Sequence, residues 1–148
     1  MEPSKGGKPH KRSDTEDRAF SYRSYRRTFG DGCYVNDLDH VEWRMRDDVP
    51  TPVAVFELTR VDFEFNSDKH RQSYQDSILK RFNSDGQMDF VVEMAYRMGV
   101  PAYIILFHKN LKHFWLYSLS DDDYPDLGIP NQWHYKSETE YRLWVKNL

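Results

Sequence analysis

Asp37, Asp39 and Glu57 stand in the stretch YVNDLDHVEWRMRDDVPTPVAVFELTR, residues 34–60, inside two apolar, β-prone runs. A strand buried on its faces normally excludes charge, so carboxylates placed there need a reason. Residues 33–44 and 52–61 read as strands separated by MRDDVPT, which carries turn residues and a proline. With the loop centred near residue 48, antiparallel partners have indices summing to about 96. Asp39 then faces Glu57, with Cβ atoms about 4.5–5.5 Å apart. Alternation places Asp37, Asp39 and Val41 on one face of the first strand, and Val55, Glu57 and Thr59 on one face of the second. Facing like charges repel unless a proton or a cation lies between them. Two carboxylates, completed by water and substrate phosphate, form the ligand set that Mg²⁺ or Mn²⁺ prefers. No Cys/His cluster of zinc spacing competes; His108 and His113 read as surface histidines of a hairpin. The plainer alternative is a solvated sheet face, or ion pairs with Arg44 and Arg60. The unbroken apolar run before Glu57 in AVFELTR speaks against a solvated face.

The elements that must position this pair follow from periodicity and punctuation. SDTEDRAFSYRSYRRTF reads as a first helix, with Ser13 and Glu16 at capping-box spacing and GDG at 30–32 as its stop. After the two strands, NSDKHRQSYQDSILKRFN reads as a helix capped by Asn66 or Ser67. SDGQMDFVVEMAYRMG reads as the next, with Ser84 and Gln87 as a capping box and Gly99 as its C-terminal stop. PAYIILFH is a strand of the kind buried on both faces, and HFWLYSL returns after KNLK as its hairpin partner. SDDDYPDLGIPNQ is a polar loop whose acidic run 121–123 lacks any calcium-loop spacing. SETEYRLWVKNL closes with a helix capped by Ser137 and Glu140, while the aromatics of LYSL, QWHY and YRLWV read as packing. The order α, β, β, α, α, β, β, α predicts an α/β fold, a mixed central sheet flanked by helices.

Composition sets outer bounds. A chain of 148 residues with 16% aromatics can bury one core, so residues 14–148 are expected as a single domain behind a flexible basic tail, 1–13. No apolar run approaches the roughly 20 residues that span a bilayer, and the N-terminus has no apolar signal segment, so no membrane partner is expected. A lone Cys33 excludes an internal disulfide and fits a reducing, cytoplasmic setting. Charge is uneven: residues 1–30 carry eight Lys/Arg against four Asp/Glu, while the remainder carries a net −7. A basic arm on an acidic body can hold a polyanion at one side.

The spacing of the pair resembles a known signature. An acidic residue near one strand, a gap, then E-x-K at the end of the next is the pattern of the PD-(D/E)xK nuclease superfamily. Asp39, seventeen intervening residues and then Glu57-Leu58-Thr59 look like it. The element order over residues 14–118 is similar to that superfamily's restriction-endonuclease-like core. The resemblance implies that Asp39, Glu57 and the Leu58 carbonyl hold Mg²⁺ or Mn²⁺, with Glu16 as an additional acid. It makes Gln72 or Gln75 the polar residue that follows the motif. It implies DNA, or alternatively RNA, as substrate, and a homodimer where both strands are cut. The departure is Thr59, which stands where the family has lysine. Lys80 or Arg60 could take over that role, the metal alone could activate water, or the domain could be a lapsed enzyme that only binds nucleic acid or a protein. Arg60 is out of phase with Glu57 by alternation.

A second group of residues concerns binding. FSYRSYRRTFG interleaves Arg23, Arg26 and Arg27 with Tyr22, Tyr25 and Phe29. Arginines suit phosphates and exposed tyrosines stack on unpaired bases, although the same pattern also describes an amphipathic helix with a solvated arginine face. A protein whose acidic surface imitates DNA is the remote third reading.

Overall fold

The computed structural model describes residues 20–30, 38–119 and 131–148. The chain divides into two units, 1–35 and 36–148, and each is taken by itself. The expectations for the tail, Ser13, Glu16, Cys33, Asp37 and the acidic run 121–123 lie outside the described residues.

In the first unit, residues 20–26 are helical (α1) and pass into a 3₁₀ turn, Arg27–Phe29. Gly30 at φ 81° ends it, as the GDG punctuation predicts. Phe20, Tyr22, Tyr25 and Phe29 are all exposed within this unit.

The second unit is a five-stranded mixed sheet in sequential order: β1 (His40–Arg46), β2 (Val49–Val61), β3 (Ala102–His108), β4 (His113–Ser118) and β5 (Trp133–Ser137). β2 and β3 run parallel, joined through α2 (Asp68–Ser84) and α3 (Gln87–Met98), and the other neighbours are antiparallel. α4 (Glu138–Lys146) completes an α/β fold. Among the described residues, no helix is long and apolar enough to cross a membrane.

The β1–β2 turn is tighter than MRDDVPT suggests. Only Asp47 and Asp48 form it, both at positive φ (50° and 62°), the two-residue geometry that continues the twist of a hairpin. Pro50 and Pro52 therefore lie inside β2. The register slips between Glu42 and Trp43, whose partners are Ala54 and Pro52, leaving Val53 as an extra residue. That bulge shifts the alternation so that both prolines' missing N–H groups face away from β1. β3 begins pairing only at Val55, so no ladder bond is lost there.

The faces of the sheet are covered differently. Ala54, Phe56, Tyr103, Ile105, Phe114 and Leu116 pack beneath Tyr141, Trp144 and Val145 of α4. On the other face Val55, Val61, Ile104 and Leu106 pack against Ile78 of α2 and against Val91 and Ala95 of α3. β3 is buried almost throughout, as its unbroken apolar run demands.

Caps decide the helix boundaries, with one correction. Ser67 caps α2 through the His70 N–H, and Ser137 and Glu140 form the reciprocal box of α4. Ser84 does not cap α3. It ends α2, bonding the Arg81 carbonyl, and α3 starts after Gly86 at φ 68° with no side-chain cap. Trp133–Ser137, expected only as packing aromatics and the start of the last helix, forms the strand β5. Its last residue, Ser137, is also the N-cap of α4.

Candidate functional site

The last paired residues at the open end of the hairpin are His40 and Phe56, with an index sum of 96. One step further, Asp39 leaves the ladder, and its carboxylate accepts the Leu58 N–H at 2.9 Å. A side-chain oxygen thus takes the place of the next main-chain acceptor of β1. N–H and C=O of one strand residue point to the same side, so the Leu58 carbonyl is directed toward that edge as well. Glu57 lies on the face packed by α3, only 3% exposed, between Val55 and the half-buried Thr59. Its carboxyl meets the exposed carboxyl of Asp39.

The electrostatics of this pair are unfavourable in the expected way. Burial, then the charge of Asp39 and the hydrogen bond between the two carboxyls, push the Glu57 carboxyl up to about 7. The Gln87 amide, donating to Glu57 Oε1 at 3.4 Å, opposes the rise. No Lys or Arg among the described residues contributes a countercharge to Glu57.

The other candidate residues separate. Arg60 stands on the opposite face of β2, exposed, and its guanidinium pairs with Asp62 at 2.8 Å. Lys80 is on the exposed side of α2, whose buried residues are Gln75 and Ile78. Thr59 shares the face of Glu57 and brings a hydroxyl where the family pattern has an ammonium. Gln72 and Gln75 line a cleft between α2 and the β4–β5 end of the sheet whose lining includes neither Asp39 nor Glu57. Arg23, Arg26 and Arg27 belong to the first unit, where the Arg26 guanidinium lies 4.7 Å over the Phe29 ring. Gln87 is the site residue the sequence reading assigned to capping instead; its position as first residue of α3 was the available signal.

The donor set can be weighed against the implied cation. Among the described residues no third His, Cys, Asp or Glu joins Asp39 and Glu57. Mg²⁺ commonly keeps several waters and is held through one or two carboxylates plus substrate oxygens, so two carboxylates and a carbonyl-bearing edge fit that mode, unlike a closed protein cage. No family model, curated protein or solved structure matches the chain.

Proposed function

We propose that this chain is a nuclease of the PD-(D/E)xK kind, hydrolysing DNA phosphodiester bonds with Mg²⁺ or Mn²⁺ held by Asp39 and Glu57. The observation carrying this reading is the carboxylate pair itself, converging at the end of the β1 ladder with no Lys or Arg among the described residues to offset the charge of Glu57. A pair kept at such cost is accounted for by a cation that both groups serve. When bound, the cation lowers the pKa of a coordinated water and draws charge from a phosphoryl oxygen. Asp39, exposed and fixed by the Leu58 N–H, would hold the cation together with Glu57, which would serve as the carboxylate, its proton passing to solvent. Gln87 donates to Glu57 Oε1 and so favours its ionised form. Arg23, Arg26 and Arg27 of the first unit would supply phosphate contacts. The lone cysteine suits a cytoplasmic setting, and a homodimer would present one such site to each strand of a duplex.

Thr59 favours a second reading, a lapsed nuclease domain that binds nucleic acid or a protein without cutting. Neither Arg60 nor Lys80 meets Glu57 to offset charge developing on a phosphate. One experiment separates the two. Purified protein is titrated with Mn²⁺ by calorimetry and assayed on plasmid DNA with Mg²⁺ and Mn²⁺, beside Asp39→Ala and Glu57→Ala. Metal binding and cleavage that both variants lose support the nuclease. Metal binding without cleavage supports the lapsed domain, and no metal binding refutes the site.

A further inference from the structure

β1 is an edge strand with an unused side. Among the described residues it pairs with β2 alone. Trp43 and Met45 stand opposite Pro52 and Pro50, which have no N–H to give, so these are non-hydrogen-bonded pairs of the hairpin. Val41 stands opposite Val55, whose N–H goes to the Pro101 carbonyl on the other side. Val41, Trp43 and Met45 therefore direct their main-chain N–H and C=O groups away from β2, along the open edge. The Trp43 carbonyl also accepts from the Arg44 guanidinium at 2.8 Å, which occupies one of its two lone pairs. The opposite edge, β5, is five residues long and carries Lys136, two devices that blunt an edge. β1 has seven residues and neither lysine nor proline.

The side chains of this edge are complementary to themselves. In VEWRM, residues 41–45, reversing the strand exchanges Glu42 with Arg44 and Val41 with Met45, and leaves Trp43 in place. Two β1 strands paired antiparallel about Trp43 thus set Glu42 opposite the partner's Arg44 twice, and Val41 opposite the partner's Met45 twice, on the other face. Glu42 and Arg44 keep 21% and 28% of their side-chain surface and already meet within one strand at 2.9 Å. Pairing would bring the four groups together with alternating sign. Trp43 and Met45, 52% and 66% exposed, would be covered by the same residues of the second copy. In this register the outward-pointing residues 41, 43 and 45 all fall in hydrogen-bonded pairs, which gives about six main-chain bonds. Only the ends lack a match, where His40 faces the partner's Arg46.

We propose that the chain forms a two-fold dimer by antiparallel pairing of β1 with β1 of a second copy, centred on Trp43, so that the two five-stranded sheets continue into one. The contact is isologous and closes at two copies. Asp39 lies one residue beyond His40, outside the shared ladder, so both carboxylate pairs stay open. The pairing gives a surface to the homodimer of the nuclease reading, but it rests on β1 alone and needs neither metal nor DNA. A ladder of this length is smaller than a standard interface, so a dissociation constant of about 10 µM is expected.

The test is sedimentation equilibrium of the full chain in EDTA and a thiol reductant, up to about 200 µM, beside Glu42→Arg, Arg44→Glu and Met45→Lys. Wild type is expected to approach the mass of two chains. Each charge variant alone is expected to weaken the dimer by at least about tenfold. An equimolar mixture of the two is expected to regain it, because every facing pair at 42 and 44 is then opposite in sign. Met45→Lys, at an exposed position, is expected to weaken the dimer by about tenfold with an unchanged melting temperature, and it decides the matter where a charge variant fails to fold. A wild type that stays monomeric, a dimer indifferent to Met45→Lys, or folded charge variants whose mixture stays monomeric overturns the proposal. A dimer that binds no metal upholds the pairing and removes the carboxylate site. A monomer that binds metal and cuts DNA does the reverse.

Discussion

Replacing Glu57 by Gln tests the carboxylate pair without any assumption about DNA. Glutamine keeps the shape, can donate to Asp39 and can still accept from Gln87, but cannot ionise. The wild-type carboxyl titrates near 7 when folded, against 4.5 as the ordinary value. The folded protein thus holds the proton more tightly than the unfolded chain. Glu57 costs nothing while protonated in both states, below about pH 4.5. As pH rises from there toward 7 the unfolded chain ionises first, and stability falls; above 7 the loss is complete. At about 1.36 kcal/mol per pKa unit the full loss is about 3 kcal/mol at pH 8, and it is under about 1 kcal/mol at pH 5. For a chain of this size about 2–4 °C accompanies each kcal/mol. Glu57→Gln should therefore melt roughly 6–12 °C higher than wild type at pH 8 and nearly level with it at pH 5, by differential scanning fluorimetry in EDTA. Adding Mn²⁺ at about a hundred times its dissociation constant should restore about 2.7 kcal/mol to wild type and leave the variant unmoved. A wild-type melting temperature that is flat between pH 5 and pH 8, or a Gln variant that melts lower at pH 8, would refute the strained pair.

The same titration predicts that Mn²⁺ binding at pH 6 releases close to one proton, read as buffer-dependent calorimetric heat, and that affinity falls about tenfold per pH unit below 7. Lys80→Ala should abolish cutting while sparing metal and DNA binding if Lys80 supplies the missing ammonium, and Thr59→Lys should then rescue it in part. Should wild type be inert and Thr59→Lys alone cut DNA, the domain is a lapsed enzyme. Replacing Arg23, Arg26 and Arg27 by Ala should weaken DNA binding across sequences and flatten its salt dependence; an unchanged slope assigns them to solvation. Ser137→Ala should cost about 1 kcal/mol in thermal unfolding, since its hydroxyl caps α4.

The pair was legible because it depends on one quantity the sequence does carry, the index sum of a hairpin. The turn was placed too broadly, over seven residues instead of two, yet the sum near the open end is 96 as expected. Two features offset each other. The tight Asp47–Asp48 turn gives a sum of 95 next to it, and the extra residue at Val53 raises it by one before the ladder reaches His40. Pro50 concealed the first residues of β2, because a proline reads as a break unless the bulge and the absent neighbour are known. β5 was hidden for a related reason. WHYKS is five residues long, follows a polar loop, and ends on a serine that also starts a helix. Its pairing with β4 is a non-local fact, and the cleft it helps to line could not be foreseen without it.

Side-chain direction is what separated the proposed lysine substitutes from the site. Alternation correctly put Arg60 on the wrong face, and its pairing with Asp62 completes the exclusion. For Lys80 no such rule exists, because the rotation of α2 is set by which residues it buries. Those are Gln75 and Ile78, and Lys80 is left exposed. A lysine stem is long and mobile, whereas Thr59 is held by β2 on the face of Glu57. The choice between a cutting and a lapsed domain therefore turns on one contrast: a threonine on the face of Glu57, where the motif has lysine, and a lysine on the exposed side of α2.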